Sequence, residues 1–286
     1  MAIFTVPVRS VRNTRIYVSP SDQLPNVQLT LYKNEVENDF PDGFMILPVP
    51  YPHSVRFHHP RPHPPTSSPY LEFLDEVEQA FDHREQNHRR SPIRPSDTRN
   101  HLANYQVEII DSINELRRLN DVELLLHPET LEELEELYSE PYWGFLLCRL
   151  LQGSYIYEPL CYSHRMMNEN LFVPSLLFQP RTFRDIHIPE ESNRFDDRYF
   201  INGTALPEFP SRTLAEINSY RINRIPWRVL PQAFQECMLR FLCETRRGFH
   251  QNRDLFYPIN PSIFRESHTE YRRRSNSVET IPPPWW

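Results

Sequence analysis

The sequence predicts an α+β fold: a single domain over residues 1–265 with an antiparallel-rich sheet and a few packed helices, interrupted by a disordered insertion and followed by an extended C-terminal tail over 266–286. Three observations lead there. Short runs of β-type composition, separated by Pro, Asn and Asp, fill the first sixty residues. Helical periodicity with recognisable caps appears in only a few later stretches. The length of 286 residues, with 39% hydrophobic and 24% charged, supplies ample core for a soluble globular protein.

The elements follow in order. Residues 14–18, 27–33, 43–49 and 54–58 are the first β-type runs. The third lies in PDGFMILPVPYP (41–52), where Pro48, Pro50 and Pro52 recur at every second position. Backbone N–H groups point alternately to the two sides of a strand, so these prolines remove donors from one side only. An edge strand with its open side unfit for pairing is expected. HHPRPHPP (58–65) belongs to a Pro/His-rich connector over 58–69, because proline holds it extended and no carboxylate or cysteine joins its histidines. Ser68 then caps a helix with Pro69 in its first position and Leu71, Leu74, Val77 and Phe81 on one face. Residues 83–102 have almost no apolar content and form the polar insertion.

Order resumes with a strand at 104–110. Asp111 or Ser112 caps a short helix, with Glu115 placed for a capping box. A second helix starts at Pro128, turning Leu131, Leu134, Leu137 and Tyr138 inward and Glu132, Glu133, Glu135 and Glu136 outward, the acidic face being solvated. YWGFLLCRLL, YIYEPLCYSH and LFVPSLLF form the most hydrophobic part of the chain, the first and last nearly continuous in apolar residues as central strands are. A hairpin of 142–151 with 155–162 would bring Cys148 and Cys161 to the same face. Asn202–Gly203 signals a further hairpin, and 231–247 reads as a last amphipathic helix with Phe234, Met238, Phe241 and Leu242 on one side.

Composition excludes some functions. The five glycines lie far apart, so neither a P-loop nor a dinucleotide fingerprint exists, and no cofactor is expected. Cys148, Cys161, Cys237 and Cys243 show no metal-ligand spacing and read as buried thiols; no metal site is expected. Apolar runs are far shorter than the roughly 20 residues that span a bilayer, and no secretory signal opens the chain, which points to a cytosol-like, cytoplasmic compartment without membrane insertion. Lys33 is the one lysine among 31 basic residues, a depletion that follows from genome composition or from selection against lysine modification. Specific nucleic-acid binding is not expected, because the net charge is −7 and no folded recognition motif occurs.

The succession GFMILPVP, ANYQVEII, WGFLLCRL, YEPLCYSH…LFVPS, FDDRYFIN and NRDLFYP resembles a family of uncharacterised proteins found in large DNA viruses of eukaryotes and in some bacteria. The resemblance runs over about residues 25–258 without the insertion. It implies a single α+β domain and no particular reaction. In relatives the FDD stretch often reads Trp-Asp-His, and the place of that histidine is taken here by Asp197.

Two functional hypotheses follow. The leading one is a non-enzymatic structural or interaction protein that docks on a protein partner through its tail. Pro282, Pro283 and Pro284 pre-order an extended support for Trp285 and Trp286, the kind of aromatic anchor that fills a partner's groove or covers an apolar patch of its own domain. Arg272–Arg274 precede Ser275 and Ser277, candidates for phosphorylation by a basophilic kinase. The alternative is a hydrolase-like enzyme acting on a small molecule, with His164 and Asp196 as acid–base pair and the hydroxyl of Tyr162 or Ser163 as nucleophile. No oligomeric state follows from the sequence.

Overall fold

A computed structural model describes residues 2–21, 26–59, 68–85, 101–120, 126, 128–177, 192–202, 214–216, 229–230, 240–251 and 254–259. Their elements are β1 (Ile3–Phe4), β2 (Ser10–Pro20), β3 (Val27–Asn38), β4 (Phe44–Pro50), β5 (Arg56–Phe57), α1 (Pro69–Glu85), β6 (His101–Ala103), β7 (Gln106–Ile110), α2 (Ile113–Leu119) and α3 (Pro128–Leu137). Then come β8 (Trp143–Arg149), β9 (Gly153–Tyr157), β10 (Leu160–Arg165), β11 (Asn170–Val173), β12 (Ser192–Asn202), β13 (Leu214–Glu216), β14 (Arg240–Gln251) and β15 (Leu255–Pro258). The fold is α+β with mostly antiparallel pairing; β2–β12 and β6–β9 are parallel.

The large sheet runs β13-β14-β12-β2-β3-β10-β5, with β9 also on β3 and β6 on β9. β3 is its spine. One side pairs with β2 along most of the strand, and the other is divided between β10 (Val27 to Tyr32) and β9 (Glu35 to Asn38). The small sheet runs β1-β4-β8-β7. Between the sheets, Ile16, Val18, Tyr32, Val36 and Tyr162 of the large one meet Phe4, Met45, Leu47, Val49 and Leu146 of the small one. On the far face of the small sheet, Ile3, Ile46, Phe145 and Leu147 pack with Leu116 of α2, Leu134 of α3 and Tyr138.

Helix α1 covers the other face of the large sheet. Tyr17 points outward where Ile16 and Val18 point inward, and its ring meets Phe73 edge-on at 5.2 Å. Arg15, on the same face, pairs with Asp75 at 2.5 Å and with the buried Glu78 at 2.7 Å. Ser68 caps the helix as expected, its Oγ accepting the Leu71 N–H at 3.2 Å. The buried face is Tyr70, Phe73, Leu74 and Val77, spaced i, i+3, i+4, i+7. Leu71 is only half-buried.

Ser112 caps α2 as predicted, accepting the Glu115 N–H on its Oγ at 3.3 Å, but the return half of the box is displaced by one residue: Glu115 Oε2 accepts from the Asp111 N–H at 2.7 Å rather than from that of Ser112. α3 buries Leu134 and exposes Glu132, Glu133 and Glu136, while Leu137 stays 45% exposed. Glu135 pairs with Arg117 of α2.

Four expectations are corrected. The stretch 231–247 is not a helix throughout: from Arg240 it is strand β14, which takes eleven positions of β12 in register, and extended pairing outweighs its helical spacing of apolar residues. Residues 142–151 and 155–162 form no hairpin. β8 has β4 and β7 on its two sides, so no edge is free, and the chain crosses after Leu150 to the other sheet. The insertion is narrower than 83–102, since α1 extends to Glu85 and β6 starts at His101. Finally, β4 is not a full edge strand. β1 pairs with Met45 and Ile46, and among the described residues only the proline half beyond them has no strand partner on that side, where Pro48 and Pro50 lack donors. The hairpin at Gly203, the connector at 60–67 and the tail lie outside the described residues.

Close packing leaves no room at Gly144. A Cβ there would stand 2.5 Å from the Ile110 carbonyl oxygen and 2.6 Å from the Pro52 ring. Neither can yield without moving backbone. Gly144→Ala is expected to destabilise the protein by about 1–3 kcal/mol, read as a lowered midpoint in urea unfolding.

Candidate functional site

Alternation along β10 distributes its polar residues to two faces. Tyr162 and His164 turn into the space between the sheets; Ser163 turns the other way. His164 is 1% exposed and Tyr162 fully buried, their rings stacked with centroids 5.8 Å apart. His164 Nδ1–H donates to the Arg165 carbonyl at 2.9 Å, so Nε2 is the unprotonated nitrogen, and it is buried with no hydrogen-bond partner among the described residues. Burial holds the imidazole neutral, with its pKa lowered to about 4. Burial likewise pushes the Tyr162 phenol up, and Cys148, buried and free, also titrates high. Cys161 is a buried thiol as well.

The sheet does not bring His164 and Asp196 together. β3 and β2 lie between β10 and β12, so three interstrand steps separate the two strands by about 14 Å. His164 is level with Gln28, and Gln28 with Pro20. β12 has Asp197 level with Thr14, which displaces Asp196 a further distance of about 20 Å along the strands. Across the sheet, Asp196 and Asp197 stand opposite Arg247 and Arg246. Trp285, Trp286, Pro283, Pro284, Ser275 and Ser277 lie outside the described residues.

Two groups that sequence reading left out are well positioned. His58 Nε2 lies 2.9 Å from Ser163 Oγ, a hydroxyl–imidazole pair created when β5 joins β10. Burial, then the nearby His59 and Arg56, lower the basicity of His58, and among the described residues no carboxylate orients its ring. Asp254 is the second. Its carboxylate accepts from the N–H groups of Ser175 (2.7 Å) and Leu176 (2.8 Å) and from the Tyr138 hydroxyl, tying the segment after β11 to the end of α3. Burial raises its pKa despite these donors. Sequence offers no signal for either contact, since both join residues more than seventy positions apart.

Among the described residues an accessible cleft of about 320 Å³ lies beside the end of β10, lined by Tyr51, Pro52, His53, Ser54, Asp111, Pro141, Tyr142 and Arg165. Tyr51 adopts a left-handed backbone (φ 52°, ψ 64°), costly for a bulky residue. Its N–H donates to the Tyr142 carbonyl at 2.6 Å, and its carbonyl accepts from the N–H and Oγ of Ser54 at 2.8 and 2.6 Å. The two tyrosine rings are tilted by 40° at 5.9 Å, and the Arg165 guanidinium sits 5.0 Å over the Tyr51 ring. His53 and Asp111 approach to 3.4 Å at the exposed rim, a pair that adds little stability in water. This arrangement can grip a ligand; it holds no assembled nucleophile and base. Among the described residues no group of three or more His, Cys, Asp or Glu could hold a metal ion, and no helix is long and apolar enough to cross a membrane.

No protein-family model matches the sequence, and no curated protein matches it. Solved structures do. The chain is similar to the crystal structure of baculovirus P35 with a TM-score of 0.52 and 10% identity, over 90% of this chain and 99% of that one. A mutated baculovirus P35 after caspase cleavage aligns with a TM-score of 0.46 and 10% identity over 89% and 100% of the two chains. The caspase-8/P35 complex aligns at 0.37 and 12% over 73% and 71%. The first of these likenesses carries a shared fold along nearly the whole chain.

His164 yields a pH-dependent stability. Unfolding returns its pKa to the ordinary value of about 6.5, so between that value and about 4 the unfolded state binds the extra proton. Stability is therefore retained above pH 6.5 and falls as the pH drops towards 4. The loss is on the order of 3 kcal/mol. His164→Leu should flatten this part of the melting-temperature profile relative to the unchanged protein, whereas His58, shifted in the same direction, continues to contribute in both.

Proposed function

We propose that the protein is a non-enzymatic interaction protein whose partner is a protease of the caspase class. The observation that carries this reading is the fold shared with baculovirus P35 across both chains, P35 being a protein known in complex with caspase-8 and after caspase cleavage. Dispersal of His164 and Asp196 to distant parts of the large sheet supports it from the other side. Caspases are aspartate-directed proteases, and the polar segment between α1 and β6 contains a single aspartate over residues 86–100, Asp97. The tail residues Pro283, Pro284, Trp285 and Trp286 are the second proposed contact, as aromatic anchors on a stiff support.

The test is to mix the full chain with purified active caspase-8 and follow complex formation by native mass spectrometry, with fragments mapped in parallel. A complex, together with a cut after Asp97 that Asp97→Ala abolishes, is the expected result. A chain that stays uncut and unbound overturns the caspase reading. Removing residues 272–286 should weaken the complex; undiminished binding would take the tail out of the interface.

A further inference from the structure

The cleft beside β10 has the chemistry of a seat for a proline- and tryptophan-bearing segment. Two tyrosines with mutually tilted rings, Tyr51 and Tyr142, and two prolines, the buried Pro52 and the exposed Pro141, are among its lining residues. Extended proline segments dock in such aromatic-lined grooves because their backbone is already ordered and little entropy is lost on binding. A volume of about 320 Å³ lies at the small end of ligand sites. It has room for one large aromatic side chain and an adjoining proline rather than for a long peptide. The strained Tyr51 is held in place by hydrogen bonds on both its N–H and its carbonyl, and the guanidinium of Arg165, also in the lining, packs over its ring. Such over-determined strain is characteristic of ligand clamps.

We infer that this cleft is the docking site of the chain's own Pro282–Trp286 segment. Three observations favour that occupant. The described chain stops at Ile259, whose N–H donates to the Glu169 carbonyl at 3.0 Å, four residues after the lining residue Arg165. A chain the length of that between Ile259 and Pro282 spans about 25 Å, enough to reach the cleft and to present the segment at millimolar effective concentration. Charge also matches. Asp111 lines the cleft and Glu140, next in sequence to the lining residue Pro141, is exposed; the lining Arg165 guanidinium is engaged over the Tyr51 ring, which leaves these two carboxylates to meet Arg272–Arg274. The inference rests on reading the tail as a docking segment but not on the identity of the partner. It adds a regulation: the segment is either in its own cleft or on the partner, so cleft occupancy competes with partner binding.

The experiment uses the full chain with Trp285 replaced by the photo-crosslinking residue p-benzoylphenylalanine, irradiated at low protein concentration, with the covalent products mapped by mass spectrometry. The expected product is an intrachain link to residues 51–54 or 141–142. Asp111→Arg, at an exposed position away from the ring faces, should lower its yield roughly five-fold. Links to another part of the surface, links only to a second copy, or no link above background each overturn the inference. Caspase binding is measured separately without the crosslinker, so failure of the partner reading and failure of the cleft seat give different results.

Discussion

β3 is buried on both faces and paired on both edges, and it nevertheless carries Gln28, Thr30, Lys33, Asn34 and Asn38, each nearly inaccessible to water. A polar group in that position must find a partner or cost several kcal/mol. The partners it finds set the places of the neighbouring elements. The Gln28 side-chain amide acts as a short piece of backbone: Nε2 donates to the Phe172 carbonyl and Oε1 accepts the Phe172 N–H, both at 2.7 Å, which anchors β11 to the large sheet. Asn34 receives the Tyr105 hydroxyl and contacts Met45 of the small sheet. Lys33 reaches Glu35 at 2.9 Å and the Asn13 carbonyl at 3.4 Å, next to the irregularity in β2 where register shifts between Arg12 and Arg15. Asn38 closes the turn into β4 by bonding Phe40. A slip of one residue would turn all of these to the wrong side at once.

From that spine the molecule is built in layers: α1, the large sheet, the small sheet, then α2 and α3. The layering explains why the apolar runs of β8 are continuous. Leu146 and Cys148 serve the core between the sheets, while Trp143, Phe145 and Leu147 serve the core under the helices, so neither face can be polar. Asp254 ties two of these parts together by taking donors from the end of α3 and from the segment after β11. A carboxylate in this position is stable because its donors replace water.

The division between buried and exposed chemistry decides what the fold can do. Of the residues that the sequence suggests for catalysis, Tyr162 and His164 fill the space between the sheets, and Asp196 belongs to a distant strand. The accessible polar and aromatic groups lie instead around Tyr51, Tyr142 and Arg165, fixed by a 3₁₀ turn at Pro52–Ser54 whose Ser54 hydroxyl also accepts the Arg165 N–H at 2.8 Å. Rigid backbone under half-buried rings that line a cleft is an arrangement suited to recognition.

The sequence by itself determined the local elements: the Ser68 and Ser112 caps, the start of α3 at Pro128, the strands of the first block and the one-sided loss of donors at Pro48 and Pro50. These depend on backbone geometry within a few residues, which neighbouring side chains control. The tertiary structure alone decided which strand pairs with which. It sent β9 and β10 to β3 rather than to β8, because β8 has no free edge. It made 240–251 a strand, because β12 offers a long partner and pairing energy exceeds helical propensity. It also separated His164 from Asp196 and joined His58 to Ser163, since distances across a sheet depend on strand order, which is set by the mutual burial of apolar faces and leaves no trace in residue spacing.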